Sequence, residues 1–306
     1  MIDRRQLLQL GGGIMALPAF NLTASEASLA ARLIRRPIPS SGEQLPVIGM
    51  GTSISFDTDG SAQTLAQLTQ VMQLFVAGGG TVIDSSPMYG NAEKRVGEVL
   101  QGFEQRPHIF AATKVWTSGE QEGIAQMQAS ARRMGVEHFD LIAIHNLKDW
   151  RTHLRTLRRW QEQGVVRYIG ITTSHGRYHS ELLDIMRSEP LDFVQFSYNI
   201  EDRSAEQTLL PLARDKGIAA MINRPYQRGS LFARSRGQAL PDVAAELRCE
   251  SWGQFYLKFI LGHTAVTSII PATSNPKHMA DNMKANFGPT PDAVQRAEML
   301  RVFRAL

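Results

Sequence analysis

From Arg36 onward, short apolar runs alternate with segments of helical periodicity, and this alternation constrains the fold more than any other feature of the chain. Val47–Gly51, Thr81–Asp84, Ile109–Ala112, Leu141–Ile144, Tyr168–Ile171, Phe193–Phe196, Ile218–Ile222 and Ser268–Ile270 read as buried strands. Helices fit between them. Ser61 to Ala77 spaces Leu65, Leu68, Met72 and Phe75 at helical intervals, and Gly78-Gly79-Gly80 ends it. Gly123 to Met134 and His153 to Gln163 repeat the pattern. Eight β/α units with short connections predict a closed (β/α)8 TIM barrel. Turn residues Pro39-Ser40-Ser41-Gly42-Glu43, set between short extended segments, predict an N-terminal β-hairpin closing the barrel bottom. Alternation alone also permits a doubly wound open sheet. That reading is weakened because no GxGxxG follows the first strand. Gly11-Gly12-Gly13 and Gly78-Gly79-Gly80 lack its spacing and its strand-turn-helix context.

The 306 residues are 43% hydrophobic and 20% charged, enough for one large core. No linker of biased composition splits Arg36 to Leu306, so residues 31–306 read as one catalytic domain. Thirty-three basic against 29 acidic residues give a net charge of +4 without any long basic run. That is a solvated surface, and no nucleic-acid partner is expected. The lone Cys249 rules out an intramolecular disulfide. Zinc-type spacing and HExxH are both missing, so no metal is expected.

Residues 1–30 read differently. Arg4-Arg5 precede Leu7, Leu8 and Leu10, then a weakly apolar Gly11-Gly12-Gly13-Ile14-Met15-Ala16-Leu17. Small-x-Ala sites end at Ala27 and Ala30. This architecture predicts a twin-arginine-type signal peptide, a periplasmic location and the Tat translocase as a transient partner. The alternative is an N-terminal extension on a cytoplasmic protein. The stretch is too short and glycine-rich for a membrane span of ~20 apolar residues, so stable insertion is not expected.

In a barrel the active site lies at the C-terminal ends of the strands. Asp84 ends the second predicted strand, Tyr89 follows in its loop, Lys114 ends the third, and His145 ends the fourth. Each alone has an ordinary structural explanation, such as a helix cap, a packed ring or a solvated cation. Together they make an acid. Tyrosine titrates near 10 and is a poor donor or base at neutral pH. A lysine ammonium beside it lowers that value. The buried lysine needs a counter-charge, which Asp84 supplies. His145 can hydrogen-bond the substrate oxygen.

These residues sit in segments that resemble the aldo-keto reductase family from Arg36 to about Phe287. Pro39 to Thr52 is similar to the family's hairpin and first strand, and Ile83 to Glu93 holds the aspartate and tyrosine. Ala112-Thr113-Lys114 and Asp140 to Asn146 hold the lysine and histidine. Gly164 to Ile171 and Gln195 to Asn199 follow in family order. The resemblance implies a nicotinamide enzyme acting on a small-molecule carbonyl or alcohol. Tyr89 would be the general acid/base, tuned by Lys114 and Asp84, with His145 orienting the carbonyl.

The resemblance further implies Gly51 and Thr52 near the nicotinamide, and Gln195, Thr172 and Thr173 on its carboxamide. Asn223 stands where many members stack a tyrosine. At the far end, Pro276 opens a helix whose N-terminus favours phosphate. Thr273, Ser274, Lys277 and His278 would surround a 2′-phosphate, and Asp281 and Asn282 the adenine. His278 replaces an arginine found in many NADPH-preferring members. NADPH is therefore the expected cofactor. A cofactor-binding sensor or regulatory subunit on the same scaffold is the competing reading. A barrel lyase or isomerase without nicotinamide is a third, but it leaves Pro271 to Asn282 unexplained. Trp116, Trp150, Tyr226 and Phe232 are candidates for an apolar substrate wall.

Overall fold

A computed structural model describes residues 33–174 and 176–306. The expected signal peptide lies outside these residues. Arg35–Pro37 (β1) pairs antiparallel with Gln44–Pro46 (β2). Eight parallel strands follow: Met50–Gly51 (β3), Val82–Asp84 (β4), Phe110–Val115 (β5), Phe139–His145 (β6), Val166–Thr172 (β7), Phe193–Ser197 (β8), Ala219–Asn223 (β9) and Val266–Ile269 (β10). Each pairs with the next in chain order. Bridges from Ile48 to Ile269 and from Gly51 to Ala272 bring the last strand back to the first. This is the (β/α)8 barrel that the alternation predicts.

Closure explains why the first strand is shorter than expected. Val47 and Gly49 spend their backbone groups on Ile269, leaving only Met50 and Gly51 paired with β4. Gly51 is required there, because a Cβ would stand 2.8 Å from the Ile270 carbonyl oxygen.

Helices cover the outside. Ala62–Ala77 (α1), Ala92–Gln101 (α2), Glu120–Met134 (α3), Trp150–Glu162 (α4), His179–Ser188 (α5) and Leu209–Lys216 (α6) follow successive strands. Leu231–Arg234 (α7), Asp242–Glu246 (α8) and Trp252–Leu261 (α9) lie between β9 and β10, and Pro276–Lys284 (α10) and Ala293–Ala305 (α11) complete the chain. Ser61 caps α1 by accepting from the Thr64 amide, as its residue type favours. Among the described residues, no helix is long and apolar enough to cross a membrane.

Side chains alternate along each strand between the barrel interior and the helix layer, with the period of two that a strand imposes. Ile83, Ala111, Ile142, Ile169, Val194 and Ile222 join the core under the helices. Val82, Phe110, Leu141, Tyr168, Phe193 and Met221 form a second core with Ile38 and Leu45 of the hairpin. Phe110, Tyr168 and Phe193 meet with ring centroids 5.6–5.9 Å apart. The Tyr168 hydroxyl reaches Ser41 Oγ and Glu43 Oε2, each at 2.7 Å, in the hairpin turn. The hairpin therefore plugs the bottom, as expected.

Stepping two residues up from that apolar layer changes its chemistry. Val82 is followed by Asp84. Phe110 and Ala112 lead to Lys114, and Leu141 and Ala143 to His145. Tyr168 and Gly170 lead to Thr172, Phe193 to Gln195, and Met221 to Asn223. The barrel axis thus runs from an apolar plug to a polar upper layer.

Candidate active site

Lys114 is the centre of the upper layer. Its Nζ donates to Asp84 Oδ2 at 2.6 Å and to the Ser85 carbonyl at 2.8 Å, and the Tyr89 phenol lies beside it. An ammonium has three donors, and two of them are taken by Asp84 and Ser85. The nitrogen stands 5.2 Å from the Tyr89 ring centroid. Burial alone would lower the lysine's pKa. The nearby Asp84 carboxylate and Tyr89 phenol outweigh it, and the group is held above its usual value. Lys114 stays cationic.

Asp84 is fixed from both sides. Gln195 Nε2 donates to its Oδ1 at 3.1 Å. Thr172 Oγ1 donates to Gln195 Oε1 at 2.9 Å, and Asn223 Nδ2 approaches the same oxygen at 3.5 Å. Thr52 Oγ1 lies within hydrogen-bonding distance of the Asp84 carbonyl and of Ser85 Oγ. Asp84, Lys114, His145, Thr172, Gln195 and Asn223 therefore meet as one layer, with Thr52 at its edge. Thr173 lies just beyond the end of β7, and its carbonyl accepts from Asn223 Nδ2 at 3.1 Å.

Tyr89 is presented by a tight turn. Its amide donates to the Ser86 carbonyl at 3.0 Å, and the Ala92 amide donates to the Tyr89 carbonyl at 3.0 Å. Asp57 Oδ1 accepts from the Asn91 amide at 2.9 Å and pins the far side of the turn. The ring keeps an exposed edge, but its hydroxyl sits among buried atoms. That burial raises the phenol's pKa. Lys114 pulls it down, as the sequence led us to expect, yet not enough to offset burial, and the net direction is up. The expected lowering is thus outweighed, and Tyr89 is a protonated phenol at neutral pH.

His145 packs edge-on against Tyr89, with centroids 5.8 Å apart and planes at 88°. Burial, and then the positive charge of Lys114, push its pKa down to about 3. The ring is neutral at physiological pH. Its Nδ1 lies 3.0 Å from Ser86 Oγ.

Two residues of this region escaped the sequence reading. Ser86 was passed over between Asp84 and Tyr89, although its place in that loop was a signal. Arg224 follows Asn223 at the end of β9, and its charge reaches the Tyr89 phenol. Its backbone is left-handed, at φ 50°, although proline follows. The Asn199 amide donates to its carbonyl at 3.1 Å.

A second group lies on the β10–α10 segment. Asn275 caps α10 and Pro276 occupies its first turn, with Lys277 and His278 exposed beside them. Thr273 Oγ1 accepts from the Asn275 amide, and the Ser274 carbonyl accepts from Gln67 Nε2 of α1. A groove lined by Gln63, Ala66, Gln67, Gln70, Asn275 and Pro276 runs between α1 and α10. Asp281 turns inward, accepting from Ser251 Oγ and Gln254 Nε2 at 2.6 Å each. Asn282 is buried, with Oδ1 accepting from the Tyr226 hydroxyl at 2.6 Å.

The aromatic candidates divide. Trp116, Ile54 and Met88 are exposed in loops that follow barrel strands, and Phe232 is exposed on the short helix α7. Trp150 and Tyr226 pack against the core instead. Another groove, lined by Arg36, Pro39 and Arg214, lies at the bottom of the barrel and away from the tetrad. Arg36 is committed there to the carbonyls of Leu261, His263 and Val266.

A barrel with a polar upper layer built around a Tyr-Lys-Asp-His cluster defines a barrel oxidoreductase. The aldo/keto reductase family profile matches residues 47–299, and the chain belongs to that family. It is 26% identical over 255 residues to the methylglyoxal reductase YeaE of Escherichia coli, covering 81% of this chain and 88% of that protein. It is 24% identical over 270 residues to the uncharacterised oxidoreductase YtbE of Bacillus subtilis, covering 85% and 90%. Among solved structures it is similar to an aldo-keto reductase from Klebsiella pneumoniae in complex with NADPH. That match has a TM-score of 0.73 at 19% identity, covering 89% of this chain and 96% of the other.

Proposed function

We propose that this protein is an NADPH-dependent reductase that converts a small aldehyde or ketone to its alcohol, or runs the reverse. The observation that carries the reading is the contact chain from Asp84 through Lys114 to Tyr89 at the barrel mouth. In the reducing direction Tyr89, protonated at neutral pH, gives its proton to the carbonyl oxygen. Lys114 stabilises the phenolate that remains, and Asp84 keeps Lys114 charged and in place. His145, neutral and beside Tyr89, hydrogen-bonds the same oxygen. The exposed Ile54, Met88, Trp116 and Phe232 suit a substrate with an apolar body.

The second group of residues fits a phosphorylated dinucleotide. A capped helix N-terminus, two exposed basic side chains on its first turn and an adjoining groove suit a phosphate ester. Thr273, Ser274, Lys277 and His278 would hold the 2′-phosphate, with Asp281 and Asn282 toward the adenine. Gly51, Thr52, Thr172, Thr173, Gln195 and Asn223 would hold the nicotinamide end. NADPH, when bound, supplies the hydride. The name of the E. coli relative and the NADPH in the Klebsiella structure support the same reading.

The test is a fluorescence titration with NADPH and NADH, followed by turnover of an aldehyde and ketone panel that includes methylglyoxal. Tight NADPH binding with turnover is the expected result. Binding without turnover across the panel would contradict it.

We also propose that residues 1–30 direct export by the twin-arginine route. Arg4-Arg5, the weakly apolar glycine-rich stretch and the small-x-Ala sites support this. Fractionation of the native host, with Arg4 and Arg5 both changed to lysine as control, tests it. Uncleaved wild-type protein confined to the cytoplasm would overturn it.

A further inference from the structure

We propose that Ser86 is a positioning residue that sets the tautomer of His145, so that the imidazole offers an Nε2–H donor to the substrate oxygen. The inference rests on the reading of Tyr89 and His145 as the groups that meet the carbonyl.

A neutral imidazole carries one proton on either of two nitrogens. Which nitrogen holds it is decided by the hydrogen bond made at the other one. His145 is neutral, and its Nδ1 faces Ser86 Oγ at 3.0 Å. The same oxygen accepts from the Met88 amide at 3.3 Å. An amide N–H only donates, so one lone pair of Oγ is taken and the hydroxyl proton remains to be placed. Nδ1 is its acceptor. If Nδ1 carried the ring proton instead, two donors would converge on Oγ. The fully buried Ser86 hydroxyl would then have no acceptor among the described residues, which is the costly arrangement for a buried polar group. Ser86 therefore donates, Nδ1 accepts, and the ring proton lies on Nε2.

The consequence is a division of labour. His145 can hydrogen-bond a carbonyl oxygen through Nε2 but has no second proton to give, so the transferred proton comes from Tyr89. Ser86 serves both residues. Its carbonyl accepts the Tyr89 amide that closes the turn, and its hydroxyl holds the His145 ring. The edge-on contact between the two rings at 5.8 Å is framed by one serine.

The test is long-range proton–nitrogen NMR on full-length protein labelled with ¹⁵N-histidine at neutral pH. His145→Gln assigns the signal. Wild type is expected to show a neutral His145 with the proton on Nε2. Ser86→Ala should show a mixture of tautomers, and Ser86→Thr, which keeps the hydroxyl, should show the wild-type tautomer. In steady-state reduction, Ser86→Ala should lower kcat/KM for the carbonyl by about 2- to 10-fold, the value of one hydrogen bond, with NADPH affinity unchanged. An Nδ1–H ring in wild type overturns the proposal. So does an unaltered tautomer, or an unaltered kcat/KM, in Ser86→Ala. The NMR arm needs no turnover, so its failure is separate from failure of the reductase reading, which Tyr89→Phe decides.

Discussion

The ammonium of Lys114 and the carboxylate of Asp84 stand 2.6 Å apart, on adjacent strands, with almost no exposure to solvent. Removing one partner of such a pair leaves the other charge buried and uncompensated. Asp84→Asn should therefore destabilise the fold by about 3–5 kcal/mol. Urea denaturation at neutral pH measures this. A change under about 1 kcal/mol would mean that water reaches Lys114 in solution.

His145 links stability to pH. Its folded pKa, pushed down to about 3, lies below the 6.5 of an unconstrained histidine. Between those values the unfolded chain binds a proton that the folded one refuses, so stability rises with pH. The contribution of His145 is complete above pH 6.5 and is lost as pH falls to about 3. Wild type should thus lose stability over that window more steeply than His145→Gln, by a few kcal/mol in order of magnitude. Parallel curves from pH 7 to 4 would contradict the burial described for this ring.

Gly90 holds the turn that carries Tyr89. Its φ is +55°, and an added Cβ would stand 2.3 Å from Asp57 Oδ1. Gly90→Ala should cost about 1–2 kcal/mol from the left-handed backbone alone. It should also reduce kcat by displacing the phenol, while NADPH affinity is retained. Thermal unfolding and single-turnover kinetics separate the two effects. An unaltered kcat would show that the turn does not set the position of Tyr89.

The barrel and the tetrad were legible in the sequence because both are local patterns. Strand periodicity and the runs around Asp84, Lys114 and His145 need only neighbouring residues. What was not legible depends on contacts between distant parts of the chain. The first strand narrows to Met50–Gly51 because Val47 and Gly49 bond Ile269. The pKa of Tyr89 rises because burial depth is a tertiary quantity that outweighs the adjacent lysine. No local pattern shows that Asp281, placed toward the adenine by its position, also holds Ser251 and Gln254 at the α9 N-terminus. Ser86 stands in the loop between Asp84 and Tyr89, but its contact with a histidine 59 residues away is a tertiary one that no local pattern shows.

Cofactor choice should reside at the start of α10. Lys277 and His278 are exposed there, so changing both to alanine should leave the fold intact. NADPH should weaken by about 10- to 100-fold, as expected for loss of charge-assisted hydrogen bonds, with little effect on NADH. Calorimetric titration with both dinucleotides checks this. Equal losses would show that the segment does not read the 2′-phosphate.

The central claim is that Tyr89 supplies the proton to a carbonyl substrate, and Tyr89→Phe tests it most directly. The substitution keeps the ring that packs against His145 and removes only the hydroxyl that Lys114 contacts. Steady-state reduction of the best aldehyde of the panel should fall by about 10²–10⁴-fold in kcat, the usual worth of a positioned acid. NADPH affinity, read in parallel by fluorescence, should stay within a factor of about two, because the phenol is assigned no part in holding the dinucleotide. Wild-type kcat in the purified Tyr89→Phe protein would contradict the account.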